Sequence, residues 1–149
     1  MMFMAIDNLR EIALRCRLCE SLPADLSAWL GTSLNEFLSH RRHSIDDAFG
    51  ITRARGGVPW WMEEAMRRRD AALRELGGRH FATLSLSAQA RAIRTLALRY
   101  AASAWLRDRR AESMPAEHGG TPQELLWRAF KSGARMPIGE RQLRHIMSN

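Results

Sequence analysis

The sequence predicts an all-α fold, a single-domain helical bundle of five to seven helices that ends in a helix-turn-helix-like hairpin. Apolar residues recur at helical spacing along most of the chain, and no segment shows the sustained alternation of a strand. Proline, glycine and capping residues fall mainly between these periodic segments, where helices are expected to begin and end. The length of 149 residues is that of one ordinary domain.

Five consecutive parts make up the predicted domain, residues 1–149. In chain order they are an N-terminal helical hairpin (1–50), a basic glycine-rich loop (51–58), a helical core (59–110), a linker (111–120) and a C-terminal helix pair (121–149). The loop "ITRARGGV" is the clearest break, because it is basic and rich in glycine between two periodic stretches.

The N-terminal hairpin shows two periodic stretches and one capped turn. The apolar stripe of the first stretch, about residues 6–19, is Ile6, Leu9, Ala13 and Cys16. The second stretch begins near Pro23, which suits a first helical turn. In "SIDDAFG", Ser44 and Asp47 have capping-box spacing and Gly50 is the expected stop.

Two longer helices are predicted for the core. The first runs over about residues 59–76, with Trp61 as a core anchor, and ends at Gly77 and Gly78. The second runs over about residues 87–110 and is apolar on two faces, so we expect it to be the central helix. Its second apolar face is Leu98, Ala102 and Trp105. The aromatic residues expected in or beside the core are Tyr100 and Trp105.

The last 29 residues contain "TPQELLWRAFKSGARMPIGERQLRHIM", which predicts two short helices. Thr121 is the expected cap, Pro122 starts the helix, Glu124 closes a capping box and Gly133 is the stop. Ala129 and Gly133 have the spacing of the small residue and the turn glycine in a helix-turn-helix. The connection "SGARMPIG" is longer than the usual three to four residues, so the match to that motif is partial.

The second helix of this pair, about residues 139–147, separates into two sides at 100° per residue. The apolar side is Leu143, Ile146 and Met147. The opposite side is Arg141, Arg144, His145 and Ser148. A recognition helix needs this arrangement, with an apolar back for docking and a cationic front that reaches phosphates or guanine edges.

Positive charge favours a nucleic-acid ligand. The formal net charge is +7, and 22 of the 23 Lys and Arg residues are arginines. Guanidinium groups suit phosphate geometry, and phosphate contacts release counterions. A GC-rich coding sequence gives a similar composition, so charge alone does not decide. The residues predicted to bind DNA or another nucleic acid are Lys131, Arg135, Arg141, Arg144 and His145.

A protein partner is the alternative, with the chain acting as an adaptor or inhibitor module that binds no nucleic acid. The stretch "GGVPWWMEEAMRRRD" places two tryptophans before a basic triplet. Trp60 either packs the loop back onto the hairpin or forms a partner surface with Arg53 and Arg55. The sequence leaves DNA, RNA and protein open as partners, and it assigns no oligomeric state.

No metal, cofactor or disulfide is expected. Cys16 and Cys19 form C-x-x-C, and His40 and His43 form H-x-x-H. An antiparallel hairpin would separate the two pairs by about 25 Å at 1.5 Å per residue, too far for one tetrahedral zinc ion. The cysteines also continue the apolar side of their helix and are poorly placed to bridge each other.

Catalytic signatures are not found, so we expect a non-enzymatic protein. The adjacent carboxylates at residues 46–47 and 63–64 point about 100° apart on a helix and suit first-turn positions instead. The glycines of "RARGGV" lack the residues that make a phosphate-binding loop. No apolar run approaches the roughly 18 residues of a membrane helix, and "MMFMAI" is too short for a signal peptide. A cytoplasmic location follows as the expectation.

Overall fold

The computed structural model describes residues 2–52 and 56–149. All regular structure in these ranges is helical, which confirms the all-α prediction. The elements are α1 (Met2–Leu18), α2 (Ala24–Leu38), α3 (Ile45–Ala48), α4 (Trp60–His80), α5 (Leu86–Ala102), α6 (Trp105–Asp108), a 3₁₀ turn (Ala116–His118), α7 (Pro122–Lys131) and α8 (Glu140–Ser148). The described ranges thus hold eight α-helices, because a break at Ser103 divides the predicted helix 87–110 into α5 and α6. No helix in these ranges is long and apolar enough to cross a membrane.

Two compact units make up the chain, Met1–Trp60 (unit 1) and Trp61–Asn149 (unit 2). The border between them falls two residues after the predicted loop 51–58. That the chain is one domain stays a prediction.

Unit 1 has a small apolar cluster. Its buried members are Ala5, Ile6, Phe49 and Ile51, and Leu9, Trp29, Leu30 and Trp60 pack against them. The rings of Trp29 and Phe49 lie 5.3 Å apart between centroids. The predicted turn is confirmed, since the Ser44 hydroxyl accepts a hydrogen bond from the backbone N–H of Asp47 at 3.1 Å. Gly50 ends this turn with a φ of 71°, a left-handed value that favours glycine.

The apolar stripe predicted for the first helix is wrong beyond Leu9. Ala13 and Cys16 are exposed, and Ile12 takes the buried position instead. The physical reason is that the apolar cluster of unit 1 lies against the first half of α1, so its last turns have nothing to pack on there. Cys19 follows the helix with a φ of 56°, and both cysteines are exposed free thiols.

Helix α5 is the centre of unit 2, as predicted. It contacts α6, α7 and α8, and its buried residues are Ala90, Ile93, Ala97 and Tyr100. Tyr100 is 3% exposed, and Trp105 packs against it with the ring centroids 6.2 Å apart. The prediction of a second buried face is wrong, because Leu98 and Ala102 are exposed. The neighbouring helices of unit 2 cover only the Ile93 side of α5.

Helix α4 differs from its prediction at both ends. Trp61 is not a core anchor but is 58% exposed, because the core of unit 2 includes residues of α4 only from Ala72 onward. The helix also continues through the expected stop to His80. A Cβ at Gly77 would lie 2.8 Å from the Gln89 side-chain oxygen, so this glycine allows a close approach and does not end the helix.

A buried hydrogen-bond network joins α5, α6 and the 3₁₀ turn. The Asp108 carboxylate accepts from the Tyr100 hydroxyl at 2.9 Å and contacts His118 Nε2 at 2.7 Å. Arg107 Nε donates to its other oxygen at 2.9 Å. The Asp108 carbonyl accepts from the indole N–H of Trp127 at 3.3 Å, which adds α7 to the network. Burial alone would raise the pKa of Asp108, but these hydrogen bonds outweigh it and lower the pKa below its usual range.

The N-terminus of α7 is capped differently from the prediction. Thr121 makes no side-chain cap bond to its helix, and its hydroxyl instead donates to the His118 carbonyl at 2.7 Å. The Glu124 carboxylate accepts from the backbone N–H of Gly120 at 2.8 Å. This bond, more than any other contact, lowers the pKa of Glu124. Gly133 follows the helix at a φ of 83°, as expected of a stop.

We predict that Asp108→Asn lowers the free energy of unfolding at neutral pH by about 1.5–3 kcal/mol, the range for hydrogen bonds to a charged group. Because the folded-state pKa of Asp108 is depressed, its charge stabilises the fold above the usual carboxyl range. That contribution is lost as the pH falls below about 4. Urea unfolding between pH 7 and pH 2 should therefore show the difference between parent and variant shrinking with acid.

Glu112→Gln is the matched control, because Glu112 is an exposed carboxylate. It should leave the unfolding free energy almost unchanged across the same pH range. A parent–Asp108→Asn difference that stays constant down to pH 2 would contradict the assignment.

Candidate nucleic-acid interface

The net positive charge of the chain is confined to one of the two units. Residues 61–149 contain 16 Lys and Arg residues against nine Asp and Glu residues, whereas residues 1–60 contain seven of each. The formal net charge of +7 therefore belongs entirely to unit 2. An anionic ligand would be attracted to this unit.

Helix α8 has the two-sided arrangement that the sequence predicts. Leu143 and Ile146 are 1% and 5% exposed, and Met147 is half-buried. Arg141 and Arg144 are both exposed. The predicted site residue His145 is exposed as well, with Nε2 3.2 Å from the side-chain nitrogen of Asn149.

Helix α8 packs mainly against α5, and the contacts at its two ends make it antiparallel to α5. At its start, Arg94 Nε donates to the Ile138 carbonyl at 2.9 Å. At its end, the side chains of Met147 and Gln89 both approach Gly77, which places the end of α8 beside the start of α5. The connection from α7 is the eight residues 132–139. A helix-turn-helix geometry for α7 and α8 stays a prediction.

The segment before α8, residues 134–139, is called the strap here. Arg69 Nη1 donates to the Arg135 carbonyl at 2.5 Å, and Arg94 holds the Ile138 carbonyl. Ala134 and Pro137 are buried, whereas Arg135 and Ile138 are exposed. Two arginines, one from α4 and one from α5, thus fix the backbone of the strap and leave its exposed side chains available.

Buried Arg69 is the stronger of these two attachments. It is 6% exposed, and its guanidinium also contacts the Asp70 carboxylate at 2.6 Å. A polar cleft of about 370 Å³ lies above it, lined by Arg69, Arg135, Met136, Pro137, Ile138 and Gln142. Since Arg69 already has its own partners, Arg135 and Gln142 are the groups that a ligand in this cleft would meet.

Six exposed arginines of α5, the strap and α8 form what we call the arginine set: Arg91, Arg94, Arg99, Arg135, Arg141 and Arg144. Within residues 2–52 and 56–149, no carboxylate oxygen lies within 4.0 Å of their guanidinium nitrogens. By contrast, Arg128 of α7 pairs with Glu124 at 2.7 Å. The arginine set therefore keeps its charge for a ligand.

The α5 members of the set were missed by the sequence prediction, although a signal for them exists. Residues 76–107 contain no Asp or Glu, and residues 125–139 contain none either. Acid-free stretches of this length leave arginines without local partners. Net charge along the chain, and not the helical pattern, would have identified them.

Lys131 is placed differently from the other predicted site residues. Its ammonium donates to the carbonyls of Arg109 and Ala111 at 3.1 and 2.6 Å, and it lies 5.7 Å from the Trp127 ring centroid. It therefore binds the chain segment that follows α6, which makes it a poorer phosphate ligand than the arginines.

The predicted partner surface around Trp60 is only partly described. Trp60 is half-buried and packs against the apolar cluster of unit 1, which agrees with the interpretation that it packs the loop back. Arg53 and Arg55 lie outside the described residues. The large apolar side chains described as exposed near Trp60 are Val58, Trp61 and Met62, at 41%, 58% and 41%.

Three side chains have a spacing that a metal ion could use. Ligand atoms of Asp108, Glu117 and His118 lie within 4.8 Å of one another. Arg107 contacts both carboxylates, Asp108 at 2.9 Å and Glu117 at 2.5 Å. The cation that these acids need is thus already supplied by Arg107, and a metal ion would have to displace it.

Comparison with protein-family models, with curated proteins and with solved structures finds no match to this chain. The geometry of unit 2 is therefore the basis for assigning a function.

We predict that Arg69→Met destabilises the protein by about 1.5–3 kcal/mol, because it leaves the Asp70 carboxylate and the Arg135 carbonyl without their charged donor. Urea unfolding measures the change. Arg91→Met removes the same charge from an exposed arginine of α5 and should leave stability almost unchanged. Equal effects of the two variants would show that Arg69 does not hold the strap.

Proposed function

We propose that unit 2 binds nucleic acid, with duplex DNA as the ligand, through the outer side of α8 and the neighbouring arginines. The observation that carries this proposal is the arginine set, six exposed guanidinium groups without a carboxylate partner among the described residues. Apart from Arg94, which also holds the Ile138 carbonyl, folding does not need such groups, because exposed charges add little to stability. A polyanion does need them, since each phosphate contact releases counterions.

The roles of the residues follow from their positions. Arg141 and Arg144 project from the exposed side of α8 and would contact phosphates or guanine edges. Arg135 stands on the fixed backbone of the strap and would contact a phosphate at the start of α8. His145 lies one position beyond Arg144 and would extend the contact. The proposed activity is regulatory and non-enzymatic, and it needs no cofactor.

A protein adaptor is the second candidate function. It is favoured by Trp61 and Met62, which are exposed side by side at the start of α4. Exposed tryptophan is common at the centre of protein–protein interfaces. In that case Trp61→Ala would abolish capture of the partner, while variants of the arginine set would not.

A cytoplasmic location is part of the proposal. Nucleic acid is accessible there, and thiols stay reduced. Cys16 and Cys19 are both exposed and free, which suits a reducing compartment.

We predict that Arg141→Ala combined with Arg144→Ala weakens binding to a DNA duplex and leaves the melting temperature almost unchanged. Each lost phosphate contact should lower the magnitude of the slope of log affinity against log salt by about 0.9. Fluorescence anisotropy with duplex DNA, single-stranded DNA and RNA over a salt series measures this slope.

The matched control is Arg17→Ala combined with Arg41→Ala. Both arginines are exposed and lie in unit 1, so the variant loses the same formal charge from the neutral unit. It should bind as the parent does. If the control weakens binding as much as the α8 variant, the effect is one of net charge alone and α8 is not the contact. No binding by the parent at about 100 mM salt would end the nucleic-acid proposal, since non-specific binding alone should be measurable there.

A further inference from the structure

Ile138 is an apolar side chain in a cationic surrounding. It is 61% exposed, on a strap whose neighbour Pro137 is buried. Its carbonyl is held by Arg94 at 2.9 Å, so the position of the residue is fixed by a side chain of another helix. A lone exposed isoleucine would be unremarkable in a surface of mixed character. Here it stands at the start of the helix that carries Arg141 and Arg144.

The surface around Ile138 has the shape of a ridge. On one side is an apolar cavity of about 90 Å³, whose lining includes Arg94, Leu98 and Ile138. On the other side is the polar cleft of about 370 Å³, whose lining includes Arg135 and Ile138. Met136, Pro137 and Ile138 line both hollows, so this part of the strap separates them, and Ile138 is its exposed residue. Arg94 lines the first hollow, and Arg69 and Arg135 line the second.

This shape suits insertion into a partner better than reception of one. Ligand pockets commonly measure about 300–1,000 Å³ and are mostly apolar, so the apolar cavity of about 90 Å³ is too small for a bulky anchor and the cleft of about 370 Å³ is too polar for an apolar one. A second copy of the chain would bring a like-charged surface against this one. The partner must therefore be anionic, and it must contain an apolar gap into which the Ile138 side chain can insert.

We infer that Ile138 is a wedge that enters between two base pairs from the minor groove of duplex DNA and bends it, with the flanking arginines on the phosphates. This inference rests on the proposed nucleic-acid function. Proteins that bend DNA in this way use isoleucine, leucine, methionine or proline as the wedge and arginine around it. The strap supplies both, and its two carbonyl–arginine bonds keep the wedge in place while the base pairs are forced apart.

The experiment measures bending separately from binding. The full chain is added to a duplex of about 30 base pairs with a donor and an acceptor dye at its ends, and energy transfer is recorded together with anisotropy. A kink of about 20–90° shortens the end-to-end distance, so energy transfer should rise with the parent protein. Ile138→Ala should lose this rise and keep the salt slope, because it removes no phosphate contact.

The matched control is Leu86→Ala on the same helix that holds the strap. Leu86 is 46% exposed and lies far from the wedge. It comes twelve residues before Leu98, which lines the apolar cavity beside Ile138, and this is about 18 Å along α5 at 1.5 Å per residue. It should bend DNA as the parent does. Ile138 and Leu86 are both exposed, so the melting temperatures of both variants should match that of the parent. A loss of bending in Ile138→Ala cannot then be an effect of unfolding.

The contrary outcomes separate the two proposals. If the parent binds the duplex without a rise in energy transfer, or if Ile138→Ala bends as the parent does, the wedge is overturned and the nucleic-acid function stands. If the parent binds no duplex, both are overturned. If a peptide of alternating glutamate and leucine displaces the duplex from the parent and fails to bind Ile138→Ala, the ridge is a protein-docking surface and not a DNA wedge.

Discussion

The packing of α8 on α5 is the constraint on which the functional surface depends. Leu143 and Ile146 are buried in the core of unit 2, and the buried face of α5 carries the small residues Ala90 and Ala97, which let two helices approach closely. Once this contact is made, the opposite side of α8 can only face outward. The same contact brings the start of α8 to Arg94, so it also determines where the strap lies.

Local patterns in the sequence were sufficient wherever a helix is covered along its whole length. The two sides of α8 were predicted residue by residue. The reason is that this nine-residue helix has one side on the core and the other facing away from it along its length. The same reasoning failed at Trp61 and Cys16. Both continue an apolar stripe, but a stripe is buried only as far as the neighbouring helices extend along it. The periodicity of one helix does not indicate how long its neighbours are.

The candidate site could be predicted only in part, since its geometry depends on long-range contacts to backbone carbonyls. An arginine that donates to a carbonyl 66 residues away, as Arg69 does to Arg135, leaves no pattern in the sequence. Lys131 shows the opposite case. Its charge predicted a contact with phosphate, whereas its ammonium donates hydrogen bonds to two backbone carbonyls just after α6. Charge in a sequence reveals how many cations exist, and packing decides which of them remain available to a ligand.

The distribution of charge between the units bears on the role of the arginine set. Unit 1 balances seven cations with seven anions, and its ion pairs include Arg15 with Glu11 at 2.6 Å and Arg42 with Glu36 at 2.9 Å. In unit 2, three of the nine acids are used in contacts within the fold: Asp108 in its buried network, Glu124 at the start of α7 and Asp70 on Arg69. The arginine set is left with mutual repulsion, which opposes folding. A polyanion bound at α8 and the strap would remove that repulsion, so binding and the stability of unit 2 should be linked, and the fold should be most stable when the ligand is present.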